Sequence, residues 1–133
     1  MHENRTEFKL GNNLTTIQVN VTSESGTLLI HLEPEQSIPL LLYFNYADEP
    51  NETNFLVSTQ LPNTQYTGDA KYTWLISAAE LIHGVGIYYL SVKPVPDLNS
   101  SQLTNITVAF TSFMSQCVYW DEVYNNWSSS GCR

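Results

Sequence analysis

Short stretches of apolar–polar alternation, separated by turn-forming residues, decide what this chain can build. Side chains alternate across a strand, so a period of two marks a strand with one buried face. Ile17, Val19 and Val21 alternate with Gln18 and Asn20. Ser23-Glu24-Ser25-Gly26 reads as a turn, and Leu28, Ile30 and Leu32 then point one way with Leu29 and His31 the other. Gly26 between these strands predicts a hairpin. Pro34 to Pro39 is a loop, and Leu40-Leu41-Leu42-Tyr43-Phe44 is a continuous apolar run, as expected of a strand covered on both faces. Phe55-Leu56-Val57 reads as a short strand and Tyr72-Thr73-Trp74-Leu75-Ile76 as another. Ser77-Ala78-Ala79-Glu80 has the shape of a capping box, which predicts one helical turn over residues 78–82. Gly84-Val85-Gly86 ends it. Ile87-Tyr88-Tyr89-Leu90-Ser91-Val92 is β by its aromatic and branched content and is stopped by Pro94 and Pro96. Ile106, Val108 and Phe110 alternate with Thr107 and Ala109, and Cys117-Val118-Tyr119-Trp120 is the last expected strand. Seven or eight short strands at this spacing predict a mainly β fold: an antiparallel β-sandwich with one short helical turn. An immunoglobulin domain is disfavoured, because its two cysteines are spread across the domain and these lie within the last 17 residues.

The chain has 133 residues, enough for one domain with its own core. Only 14% of residues are charged, against about 25% in an average globular protein. The polarity comes from Asn, Ser, Thr and Gln, which suits strands on a secreted surface. The net charge is −8, and the five basic residues, Arg5, Lys9, Lys71, Lys93 and Arg133, are scattered. Nucleic acid needs a clustered basic footprint, so it is excluded as a partner, and an anionic membrane surface is disfavoured for the same reason. Asp48–Glu49 and Asp121–Glu122 lie in no calcium-loop pattern, so no metal or other cofactor is expected. No run approaches the ~20 apolar residues of a membrane helix, so direct membrane insertion is not expected.

Seven Asn-x-Ser/Thr sequons occur, at Asn4, Asn13, Asn20, Asn51, Asn99, Asn105 and Asn126. With 12 Asn and 26 Ser plus Thr in 133 residues, chance gives about two. The excess points to a lumenal or extracellular chain. Met1-His2-Glu3-Asn4-Arg5 has no apolar core of a signal peptide, and the expectation that reconciles the two is an internal piece of a longer protein.

No catalytic constellation is visible. His2, His31 and His83 fall in no metal-ligand spacing, and no nucleophile elbow or phosphate-cradling glycine loop is present. Tyr72, Trp74, Tyr88 and Tyr89 are expected in the core and in cross-strand pairs, with a ligand cleft as the alternative.

The tail carries the most specific pattern. Cys117, Trp120, Trp127, Gly131 and Cys132 form C-x2-W-x6-W-x4-C with Gly before the second cysteine. Read from the residues alone, this is a small disulfide loop, whose 16-residue closure contributes about 3 kcal/mol in an oxidising compartment. It also resembles the first half of the GPS motif, the proteolysis-site motif of long polycystins and adhesion receptors. Tyr72-x-Trp74 and Gly86-x-Tyr88-Tyr89-x-x-Val92 are similar to the region before that motif in polycystin-like proteins of the kidney-disease and egg-jelly-receptor type. Adhesion receptors are the second choice.

The resemblance implies that residues 1–133 are one partial ectodomain, an incomplete GAIN-B-like sandwich, with residues 117–133 as the first half of the motif. It implies a non-catalytic module on the extracellular side of a membrane, at the plasma membrane or a cilium-type surface. In the family this module packs around an autoproteolysis site and supports cation-channel or receptor signalling. Its partner is the remainder of the parent chain, with an unspecified extracellular ligand. The family's second cysteine pair and its His-Leu-Ser/Thr site do not occur here, and His31-Leu32 is followed by Glu33, which has no hydroxyl. The family pairs its first two cysteines with the later two, so Cys117 and Cys132 are expected without those partners. The missing strands are expected to leave a sheet edge exposed. The alternative is a self-contained secreted sandwich, lectin-like or adhesive, with a Cys117–Cys132 bridge.

Overall fold

Strands with one apolar face must bury it against a second layer, and two sheets do so here. The computed structural model describes residues 4–11, 13–95, 106–115, 119–121 and 126–128. Its strands are β1 (Asn4–Leu10), β2 (Thr15–Val21), β3 (Thr27–Pro34), β4 (Leu40–Tyr46), β5 (Val57–Leu61), β6 (Thr73–Ile76), β7 (Gly86–Pro94), β8 (Ile106–Ser115), β9 (Tyr119–Asp121) and β10 (Asn126–Ser128). A 3-10 turn at Gly68–Tyr72 precedes β6. The first sheet has the order β1-β8-β3-β6 and the second β2-β7-β4-β5, while β9 and β10 form a separate two-stranded ribbon. Every pairing is antiparallel.

The expected mainly β, antiparallel sandwich is what the chain forms. The inward residues of both sheets meet in one core, with Leu28, Ile30, Leu32, Val108 and Phe110 from the first and Val19, Val21, Leu42, Phe44, Tyr88 and Leu90 from the second. Phe44 of β4 stacks on Tyr88 of β7, with ring centroids 5.1 Å apart and an interplanar angle of 7°. Trp74 of β6 meets Phe44 edge-on from the opposite sheet, at 6.3 Å and 77°. Of the four aromatics Tyr72, Trp74, Tyr88 and Tyr89, the first three pack in or against the core, while Tyr89 is half-buried on the outside.

Four local expectations are corrected. The predicted β2–β3 hairpin does not form: β2 pairs only with β7, and β3 pairs with β6 and β8 in the other sheet. A turn signal fixes a change of direction, not hydrogen-bonding partners. Placing β2 and β3 in opposite layers lets Val19 and Val21 face the same core as Leu28 and Ile30. The β4 run is fully buried on one face only. Leu40, Leu42 and Phe44 are sealed, whereas Leu41 and Tyr43 are half-buried on the outer side, where the Phe55 ring lies 5.5 Å from that of Tyr43. The strand expected at Phe55 begins at Val57. The capping box is present, with Glu80 N–H donating to Ser77 Oγ and Ser77 N–H to Glu80 Oε1. It closes a hydrogen-bonded turn rather than a helix, and the helical turn lies instead at Gly68–Tyr72.

The 3-10 turn has a packing role. Leu29 of β3 and Phe113 of β8 point away from the main core and form a second cluster with Ala70, with Tyr66 and Leu75 against it. The outer face of the first sheet is therefore covered around Leu29, Leu75 and Phe113, while Glu7, Lys9 and Glu33 on the same face are exposed.

Two outcomes follow. Phe44→Ala removes a fully buried ring from the inter-sheet stack and is expected to cost about 3–5 kcal/mol in denaturant unfolding, while Phe55→Ala, at a ring 41% exposed, costs under about 1 kcal/mol. Burial pushes the Tyr72 and Tyr88 phenols above the ordinary tyrosine value. The folded state therefore holds these protons more tightly than the unfolded state. The associated stability is complete below about pH 10 and is lost as pH rises through the raised folded value. Absorbance titration should show two tyrosines ionising late, together with unfolding, and Tyr88→Phe should remove one of them.

Candidate functional site

The tail pattern is placed only in part. β9 and β10 pair so that Trp120 lies opposite Trp127, with Tyr119 opposite Ser128 and Asp121 opposite Asn126. The two tryptophans of the motif are thus brought into register at the centre of a short ribbon. β10 lies beside the 3-10 turn, next to the covered outer face of the first sheet. Cys117, Gly131 and Cys132 lie outside the described residues, and with them the expected cysteine pairing.

The sequons are spread along strand edges and loops. Asn4 opens β1 opposite Ser112. Asn13 is exposed in the short connection before β2, and Asn20 is exposed within β2. β1 and β2 are edge strands of their respective sheets. Asn51 is exposed in the β4–β5 loop, where its Oδ1 accepts hydrogen bonds from Thr53 N–H at 2.9 Å and Thr53 Oγ1 at 2.8 Å. Asn51 and Asn54 also exchange backbone bonds, so the sequon is held in a compact turn. Asn126 opens β10. Asn99 and Asn105 lie outside the described residues.

Polar groups elsewhere serve the scaffold. His31 on β3 shares a 2.9 Å hydrogen bond between its Nδ1 and Thr73 Oγ1 on the neighbouring β6. His83 stacks on Tyr46 at 4.6 Å, and Tyr46 in turn packs edge-on against Tyr88. The Tyr88 hydroxyl donates to Gly84 O at 2.9 Å, tying this loop to the core. Lys93 on β7 pairs with Glu52, and that hydrogen bond holds the exposed Glu52 carboxyl below its ordinary value. Among the described residues, no three His, Cys, Asp or Glu side chains gather where a metal ion would sit, and no helix is long and apolar enough to cross a membrane.

The outer face of the second sheet is covered in part: Ser91 is buried, Leu41, Tyr43 and Tyr89 are half-buried, and Gln18, Asn20 and Ile87 are exposed. Asn20 and Gln18 of β2 lie opposite Ile87 and Tyr89 of β7, and Tyr43 and Leu41 follow on β4. Ile87 is 43% exposed.

By its similarity along the chain, this β-sandwich belongs to the polycystin-like proteins. Over 119 residues it is 32% identical to polycystin-1-like protein 3 of Mus musculus, covering 89% of this chain and 6% of that protein. Over 129 residues it is 31% identical to polycystin-1-like protein 3 of Homo sapiens, covering 96% of this chain and 7% of that protein. The chain thus spans a small fraction of the length of the curated relatives it matches. No protein-family profile and no solved structure matches it.

The turn at Asn51 is open to direct test. Asn51→Ala removes the acceptor used by both Thr53 groups. Hydrogen exchange should show loss of protection at the Thr53 amide, at a cost of about 1 kcal/mol to the loop, with β4 and β7 unaffected.

Proposed function

We propose that this domain is a non-catalytic extracellular module of a polycystin-like membrane protein. It acts as a rigid, glycosylated sandwich close to the membrane-spanning part. The observation that carries this reading is the match to polycystin-1-like protein 3 along nearly the whole chain, from the sandwich into the tail. The exposure of Asn13, Asn20 and Asn51 supports an extracellular setting, since a folded sandwich can carry sugars at each without disturbing its core.

The tail is the proposed point of attachment to the rest of the parent chain. Its ribbon sets Trp120 against Trp127 beside the 3-10 turn, and cysteines flank it in sequence at Cys117 and Cys132. On this reading residues 117–133 are the first half of a GPS motif, and the two cysteines cross-link to cysteines further along the parent. The module would then support a neighbouring autoproteolysis site and the receptor or channel signalling of the parent, without contributing a catalytic group.

The test is topological. An epitope placed in the exposed 47–49 turn of the full-length parent should be labelled on intact, non-permeabilised cells, and glycosidase should shift the mass of the labelled fragment. Non-reducing peptide mapping should link Cys117 and Cys132 to cysteines outside these 133 residues. Labelling only after permeabilisation would overturn the extracellular assignment, and a Cys117–Cys132 bridge in the parent would overturn the attachment role.

A further inference from the structure

We propose that Asn20 carries an N-linked glycan whose first sugar lies over Ile87, covering the exposed apolar side chain on the outer face of the second sheet. The proposal rests on the extracellular reading above and adds what one particular glycan does.

Asn20 and Ile87 are direct cross-strand partners in the β2–β7 pairing. Val19 and Tyr88 point into the core, so Asn20 and Ile87 both project outward. Directly opposed residues in an antiparallel pair hold their Cβ atoms about 4.5–5.5 Å apart. A sugar on Asn20 Nδ2 therefore starts one side-chain length from the Ile87 methyl groups. Among the described residues four large apolar side chains are exposed: Phe55, Ile82, Val85 and Ile87. Only Ile87 faces a sequon asparagine across a strand pair, and the neighbouring pair, Gln18 opposite Tyr89, extends the surface with a half-buried ring. The C–H face and N-acetyl methyl of the first sugar are apolar, so their contact with Ile87 and Tyr89 removes apolar area from water.

The position also matters for the edge. Among the described residues β2 ends its sheet, with no strand paired to its outer edge. A bulky, hydrated chain there obstructs strand addition by another molecule.

The modification is a group transfer. Asn20 Nδ2 forms a bond to the anomeric carbon of a lipid-pyrophosphate-linked oligosaccharide. The bond from that carbon to the pyrophosphate oxygen breaks, the lipid pyrophosphate leaves with the electron pair, and one Nδ2 proton is lost. Thr22 supplies the hydroxyl that the sequon requires.

The test uses the 133-residue chain secreted from mammalian cells, and the same chain made without glycosylation. Glycopeptide mass spectrometry should find Asn20 occupied. NMR should show a nuclear Overhauser contact between the N-acetyl methyl of its first sugar and the Ile87 methyl groups. Thr22→Ala, which removes the sequon and keeps Asn20, should lower Tm by about 3–5 °C in secreted protein and leave the unglycosylated protein unchanged. Adding Ile87→Thr should abolish that difference. A bare Asn20 alongside a glycan on Asn13 or Asn51 would overturn this proposal and leave the extracellular assignment standing. No glycan at any of the three would overturn both. An occupied Asn20 without the methyl contact would overturn the covering role, and that readout needs no variant to fold.

Discussion

Phe44, Tyr88 and Trp74 meet where the two sheets face each other, and the rest of the sandwich is arranged around that contact. Two of the rings belong to neighbouring strands of one sheet and the third comes from the other. Losing the stack therefore loosens the layers from one another as well as opening a void. The same contact fixes register. With Tyr88 facing inward, Ile87 and Tyr89 must face out, and a slip by one residue would reverse every side chain of β7. Gly86 guards against that slip. Its φ is 151°, and a Cβ there would stand 2.9 Å from Cε1 of Tyr46. Tyr46 thus closes over the start of β7 where only glycine leaves room, with His83 stacked on its ring.

The period-two pattern made most of the sandwich readable. β2, β3 and β8 follow from alternation at Ile17–Val21, Leu28–Leu32 and Ile106–Phe110, and β7 from the aromatic and branched content of Ile87–Val92. Pairing was not readable in the same way. Alternation says which side chains share a face and is silent on which strand lies alongside. Hence a sound turn signal at Ser23–Gly26 became a hairpin in the sequence reading and a crossover between layers in the fold. β1 has a weak signature: Thr6, Phe8 and Leu10 alternate with Glu7 and Lys9, but only two of these positions are strongly apolar. The 3-10 turn at Gly68–Tyr72 has no periodic signature. It is held by Ala70 packing onto Leu29 and Phe113, a contact between distant segments. Of the candidate site, the sequons are legible as motifs, but the placing of Asn4 and Asn20 on edge strands is visible only in the sheet order.

The two sheets differ in what lies outside them. The first is covered around Leu29 and Phe113 by the 3-10 turn, with the tail ribbon alongside. The second carries Ile87 exposed, Tyr89 and Tyr43 half-buried, and Phe55 beside Tyr43. A sandwich needs only its inner faces buried to be stable, so an outer face with this much apolar area is not demanded by folding. Some of that area is accounted for within the chain, as Tyr43 is by Phe55.

The remaining exposure at Ile87 lies against an edge strand that bears a sequon. That coincidence links two problems with one remedy. An edge strand attracts unwanted pairing, and an exposed isoleucine attracts unwanted apolar contact. A charge placed on β2 would answer the first and leave the second. A sugar at Asn20 answers both, because it is bulky and hydrated outward while its inner face is apolar. On the proposed reading, the low charge of the chain and its wealth of Asn, Ser and Thr are then parts of one solution: the module relies on sugars, where an intracellular β-protein relies on lysine and glutamate, to keep its strands apart from those of other molecules.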